Sequence, residues 1–144
     1  ARQLGLEKLV QFPGVLSPDA VAEEMRRARV FVQHSRTAED GDEEGCPVSV
    51  MEAQLCGLPV VATRHGGIPD VVLDQQTGRL VQEGDCRGMA EAMALLADSP
   101  DLAGAWGAAG HRRARAGFTV AHHVDQITML LNDLVDNRRS AAKA

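Results

Sequence analysis

The chain has 144 residues, which fits one domain around a single core. Aromatic residues make up 3% and Tyr is absent, so the core must be built from Ala, Val, Leu, Ile and Met, as suits α/β layers better than a β-sandwich. The formal charge of −5 excludes a general pull toward nucleic acid or anionic lipid, and the basic sets Arg112, Arg113, Arg115 and Arg138, Arg139 read as solvated surface.

The apolar residues Leu9, Val10, Gln11 and Phe12, closed by Pro13 and Gly14, predict a strand and a turn. Ser17 and Pro18 form a helix start, and Val21, Met25 and Ala28 continue it to about Arg29. Val30, Phe31 and Val32 predict a second strand, which runs into an acidic, Gly-containing stretch over 34–45. Pro47 opens a helix over 48–56, stopped by Gly57. A third strand is predicted over 59–63, a short helix over 69–73, and a last strand at Arg79, Leu80 and Val81. Asp85 caps a helix carrying Met89, Ala92, Met93 and Leu96. Two more helices are predicted, over 100–116 and 119–137, the second with Val124, Ile127, Leu130, Leu131 and Leu134 on one face. Strands that read as continuous apolar runs between helices predict a parallel, Rossmann-like α/β sheet covered on both faces, with the helical C-terminus wrapping it.

In such a sheet, ligands bind beyond the carboxyl ends of the strands. The acidic loop after Val32 lies there, followed by the N-terminus of the helix at Pro47, whose free N–H groups suit hydroxyls or phosphate. Pro47 cannot donate, so Gly45, Cys46, Val48 and Ser49 would supply those groups. Glu52 is the only charge between Cys46 and Leu58. It is either exposed, paired with a structural Arg, or functional. Glu44, eight positions earlier at the mouth of the same helix, favours function, because both carboxylates could then face one cleft and accept from vicinal hydroxyls.

The run SRTAEDGDEEGCPVSVMEAQLCGLPVVATRHGGIPDVV closely resembles the family 4 (group 1) retaining glycosyltransferases, which have two facing Rossmann-like domains in the GT-B fold. The matching features are Glu44 and Glu52 separated by seven residues, Gly57, Pro59, Val60, Val61, and Gly66 with Gly67. The resemblance runs from Leu9 to about Phe118, which sets a partial nucleotide-sugar-binding domain at 1–118 and a C-terminal helix and tail at 119–144. It implies that Glu52 binds the nucleotide ribose and that Glu44 binds the donor sugar, beside the N–H groups of Gly45 and Cys46. It also implies that Gly14, Val15 and Leu16 flank the nucleobase and that the Val48 N–H approaches the pyrophosphate. Such enzymes need no metal or other cofactor and retain anomeric configuration by front-face attack. Glu44, although counted with the catalytic group, is therefore a sugar binder rather than a nucleophile.

The implied partners are a nucleotide-sugar and a glycan or lipid-linked acceptor, with no nucleic acid. The acidic insertion at Asp40, Gly41 and Asp42 resembles a subset acting in exopolysaccharide or cell-surface glycan synthesis. The expected location is cytoplasmic, peripheral at the inner face of the membrane. This agrees with Cys46, Cys56 and Cys86 lacking disulfide or zinc spacing, and with no apolar run near the ~20 residues of a membrane span. Two departures stand out: His34 where many relatives have Pro, and Cys46-Pro47 where they have Phe-Gly. Asp40-Gly41-Asp42 mimics a metal-binding Asp-x-Asp but reads as a solvated loop. His122 and His123 read as surface residues, Gly66-Gly67 as a turn, and Cys46 as unactivated.

The chain opens without an initiator Met, as expected for a piece of a longer polypeptide. The resemblance implies that an N-terminal domain and two strand–helix units, with a basic pair for the diphosphate, precede it. In the order 3-2-1-4-5-6 the strand at 9–12 would be number three. It would stand ~14 Å from strand four, at ~4.8 Å per strand position, and either expose edges or pack differently. Two other readings are a non-catalytic nucleotide-sugar-binding fragment and a sugar-nucleotide 2-epimerase; the glutamate spacing disfavours the latter.

Overall fold

The computed structural model describes residues 1–141, with side chains through residue 138. The expected tail at 142–144 and the Arg139 side chain lie outside the described residues. The elements in chain order are α1 (Pro18–Arg27), β1 (Phe31–Gln33), α2 (Val48–Leu55), β2 (Val60–Thr63), α3 (Ile68–Val71), β3 (Gly78–Val81), α4 (Cys86–Asp98), α5 (Pro100–Gly117) and α6 (Val120–Ala141). The three strands form one parallel sheet in the order β1-β2-β3, with Phe31 beside Val60 and Val60 beside Gly78.

Side chains alternate across β2, and this splits the core in two. Val60 and Ala62 join Met25, Val50, Ala53, Ile68, Val71 and Leu80 under α1, α2 and α3. Val61 points the other way, to Met89, Ala92, Leu96 and Ala103 of α4 and α5. Both faces of the sheet are thus covered, as continuous apolar strands require. The Ser17 hydroxyl accepts the Ala20 N–H to start α1, and the Asp85 carboxylate accepts the Gly88 N–H to start α4, so both predicted caps form.

Four expectations need correction. Residues 9–12 are not a strand: the N–H groups of Leu9 and Val10 both donate to the Leu6 carbonyl in a local turn, and Leu9 and Phe12 are exposed. A strand exists only through pairing, and among the described residues β1 has a neighbour only in β2. The helix α2 starts at Val48 after Pro47 as expected but ends at Leu55, one residue before the expected Cys56, with Gly57 at φ +78° turning the chain. Arg113 is not solvated surface. Its guanidinium donates to the Val71 carbonyl at 3.0 Å and to the Asp70 carbonyl at 2.6 Å, and lies 5.5 Å from the Phe118 ring centre. Arginine thereby caps the C-terminal end of α3. Finally, α6 does not wrap the sheet. Its apolar side chains Val124, Ile127, Leu130, Leu131 and Leu134 are exposed, because the helix leaves the domain after Phe118 and meets no second apolar layer among the described residues.

The helix α5 reaches α2 through small residues. Ala103, Gly107, Gly110 and Ala114 form its buried stripe, at helical spacing. A Cβ at Gly107 would run into the Gly57 carbonyl oxygen, while at the exposed Gly104 it would meet nothing. Alanine favours a helix over glycine by ~1 kcal/mol, but overpacking costs ~1–3 kcal/mol. We therefore expect Gly107→Ala to destabilise the fold and Gly104→Ala to stabilise it by about 0.5–1 kcal/mol, as read from denaturation midpoints of the two variants.

Candidate functional site

Parallel strands deliver their C-terminal loops to one rim. Here the loop after β1 brings Ser35 and Glu44, the loop after β2 brings His65, Gly66 and Gly67, and the segment after β3 brings Glu83. The three loops bond to one another. The Ser35 hydroxyl donates to Glu44 Oε2 at 2.8 Å. Ser35 is itself fixed from below: its N–H donates to Thr63 Oγ1 at 3.0 Å, and the Thr63 hydroxyl returns a bond to the Ser35 carbonyl at 2.7 Å. The Glu44 N–H donates to His65 Nε2 at 3.1 Å.

His65 is buried, with a side chain 1% exposed, so its ring nitrogens need partners within the protein. A backbone N–H can only donate, which makes Nε2 the acceptor and leaves the proton on Nδ1. That Nδ1–H donates to Glu83 Oε1 at 2.7 Å, and Glu83 Oε2 accepts the Thr37 N–H at 3.0 Å. The bond from His65, then that from Thr37, holds the Glu83 carboxyl below its ordinary value of 4.5.

The glycine pair does more than turn the chain. Gly66 sits at φ +48°, and a Cβ there would collide with the Glu44 and Gly45 carbonyl oxygens. The Gly67 N–H donates to the Gly45 carbonyl. Glycine at both positions lets the β2 loop lie directly against the backbone that carries Glu44 and Gly45. Cys46 is half-buried beside them, and burial first, then Asp70 and Glu44, pushes its thiol up, so it stays protonated near neutrality.

No side chain caps the N-terminus of α2, so the helix presents its early N–H groups next to Gly45 and Cys46. Glu52 projects from the second turn of α2. The residue is exposed, and its carboxylate makes no hydrogen bond or ion pair with another described residue, which removes a structural Arg as its partner. Its carboxylate borders two grooves. One, of about 420 Å³, is lined by Leu16, Pro18, Val21, Met25 and Leu55; the other, of about 920 Å³, lies between α2 and the start of α6 and includes Val48 and Phe118. Both volumes fall in the range of small-molecule sites.

The structure therefore brings Leu16, Glu52 and Val48 along one side of α2, and Glu44, Gly45 and Cys46 at its N-terminus. Glu44 lines neither of the grooves that Glu52 borders. Gly14 and Val15 are exposed beyond Leu16. His34 is exposed just past the end of β1, the exposed His122 ring bonds Thr119, and Asp40 and Asp42 stand in an exposed turn closed by Ala38. Sequence reasoning missed Ser35, His65 and Glu83. Their signal was position, since each follows a predicted strand by a few residues.

Fold and rim together define a Rossmann-like domain whose loops meet at the carboxyl ends of its strands, where such sheets generally take ligands. Residues 1–113 match the family described as glycosyl transferases group 1, and the chain belongs to that family. A protein named as a colanic acid biosynthesis glycosyltransferase of Escherichia coli K12 is 42% identical over 103 residues, which is 70% of this chain and 25% of that protein. An amylovoran biosynthesis glycosyltransferase of Erwinia amylovora is 38% identical over 91 residues, covering 63% of this chain and 22% of the relative. The chain thus spans about a quarter of the length of these relatives. Among solved structures, an Anabaena protein in complex with UDP-glucose superposes with a TM-score of 0.79 at 26% identity, over 92% of this chain and 34% of that one. A sucrose-phosphate synthase from Thermosynechococcus elongatus gives 0.81 at 26% identity, over 94% and 33%. The parallel sheet, its helical flanks and the helical C-terminus are those of part of a GT-B glycosyltransferase.

The depressed Glu83 carboxyl has a pH consequence. Its ionised form is favoured in the folded state, so the stability it contributes is full above its ordinary value of 4.5 and is lost as pH falls through the lower folded value. Melting temperatures followed downward from pH 5 should fall more steeply for the unaltered protein than for Glu83→Gln.

Proposed function

We propose that residues 1–118 are the donor-binding part of a retaining glycosyltransferase, with 119–144 as its C-terminal helix and tail. The observation that carries this reading is the sequence of groups along α2 within a group 1 glycosyltransferase chain. Leu16 and Glu52 share one groove, Glu52 and Val48 share the next, and Glu44 is held at the uncapped helix N-terminus. A nucleotide-sugar laid in that order puts its base by Gly14, Val15 and Leu16, and its ribose hydroxyls on Glu52. Its diphosphate then meets the Val48 N–H, and its sugar meets Glu44 with the N–H groups of Gly45 and Cys46.

The free Glu52 carboxylate supports the ribose role, since an acceptor without a protein partner is available to two vicinal hydroxyls. The bond from Ser35 supports Glu44 as a fixed sugar acceptor rather than a nucleophile, because one of its oxygens is already engaged. We assign no metal to the reaction. The acceptor is a glycan or lipid-linked sugar in exopolysaccharide or cell-surface glycan synthesis, as the names of the Escherichia and Erwinia relatives suggest. An N-terminal domain of the same polypeptide supplies the acceptor side, and the reaction runs in the cytoplasm at the inner face of the membrane. Among the described residues no helix is long and apolar enough to cross a membrane.

Titration of UDP-, GDP- and ADP-sugars into the intact polypeptide tests the donor assignment. Glu52→Ala should weaken nucleotide binding by ~10- to 100-fold, the worth of hydrogen bonds to a charged group. Unchanged affinity in that variant removes the ribose role.

A further inference from the structure

We propose that His65 and Glu83 are positioning residues for the donor sugar, acting through the backbone of Glu44 and touching no substrate themselves. The inference rests on the reading of Glu44 as the sugar-binding residue.

Every residue from 36 to 45 is exposed, so apolar packing does not place this loop. Its tip is closed on itself: the Ala38 N–H donates to the Asp42 carbonyl at 2.9 Å, and the Thr37 hydroxyl to Glu43 at 2.9 Å. Those bonds shape the loop without tying it to the domain. The ties are at its ends. Glu83 takes the Thr37 N–H where the loop begins, and His65 takes the Glu44 N–H where it ends. The two holders bond each other at 2.7 Å. A connected pair, from the loop after β2 and the segment after β3, therefore takes a backbone N–H at each end of the loop that carries Glu44, beside the Ser35 bond to the Glu44 carboxylate. The buried ring explains why this is firm, since an imidazole that loses the Glu44 N–H leaves Nε2 unsatisfied in a site closed to water.

A side-chain amide can imitate either half of the ring. Gln at position 65 reaches as far as Nε2 and can accept the Glu44 N–H. Asn reaches only as far as Nδ1 and can donate to Glu83 but leaves the Glu44 N–H without its acceptor, so that the Ser35 bond to the Glu44 carboxylate and the Gly67 bond to Gly45 remain as the ties at that end.

The test uses the intact polypeptide and whichever of UDP, GDP or ADP binds it, alone and as its glucose conjugate. In His65→Asn, affinity for the nucleotide-glucose should fall on the order of tenfold, the worth of one hydrogen bond, while affinity for the free diphosphate stays within about twofold. Backbone amides over 37–45 should exchange hydrogen faster. His65→Gln should stay closer to the unaltered protein on both measures. Equal loss of both ligands in His65→Asn, or loss of neither, overturns the inference. Glu44→Ala separates the two claims. If it weakens the nucleotide-glucose alone while His65→Asn changes nothing, the positioning role is wrong and the sugar assignment stands. If Glu44→Ala leaves the conjugate unaffected, the sugar assignment falls and takes the positioning role with it.

Discussion

The imidazole of His65 faces the loop after β1 with one nitrogen and the segment after β3 with the other. Its tautomer follows from chemistry alone, because Glu44 offers it a backbone N–H that can only donate. The geometry of the rim follows from that ring. The sheet brings three loop origins within a few strand spacings of one another, but strands alone say nothing about where an exposed loop ends up. Hydrogen bonds across the rim decide that, and the absence of Cβ atoms at Gly66 and Gly67 lets the backbones come close enough to make them.

Beneath the rim, the packing follows the same logic of close approach. The small-residue stripe of α5 brings that helix against α2 and the Gly57 turn. Gln54, fully buried, donates to Thr77 at 3.1 Å, which links α2 to the turn before β3. The side-chain Oε1 of Gln54 has no partner among the described residues. An orphaned buried acceptor costs ~1–3 kcal/mol, so this link is bought at some expense to the core. Arg113 adds two bonds to backbone carbonyls of α3. The helix that carries Glu52 is thus held from behind by α5 while its front face stays open.

Much of this was legible in the sequence, and the failures share one cause. Caps, apolar periods and Gly-Pro punctuation are local, so the starts of α1 and α4 and the three paired strands fell within a residue of their expected places, while α1 ends at Arg27, two residues before the expected Arg29. Glu44 and Glu52 stood out for the same reason, as two charges at the mouth and in the body of one helix. The segment at 9–12 has the composition of a strand, but strandedness needs a neighbour, and its N–H groups turn back to Leu6. Arg113 looked like one of three surface charges, although its partners lie 42 and 43 residues away. The His65 ring joins residues 21 and 18 positions away in sequence, and no single-sequence period encodes such a pairing. The α6 stripe was visible as apolar, but a stripe does not say whether an apolar layer faces it, and among the described residues none does.

The loop over 37–44 is fastened at both ends and shaped only by its own bonds in between. Closing a longer loop between fixed ends costs little, about 0.6 kcal/mol per doubling of length. The tip around Asp40, Gly41 and Asp42 is therefore free to accept insertions and new side chains while Glu44 keeps its place. In such a rim, novelty at the mouth of the site and constancy of its anchor can evolve independently.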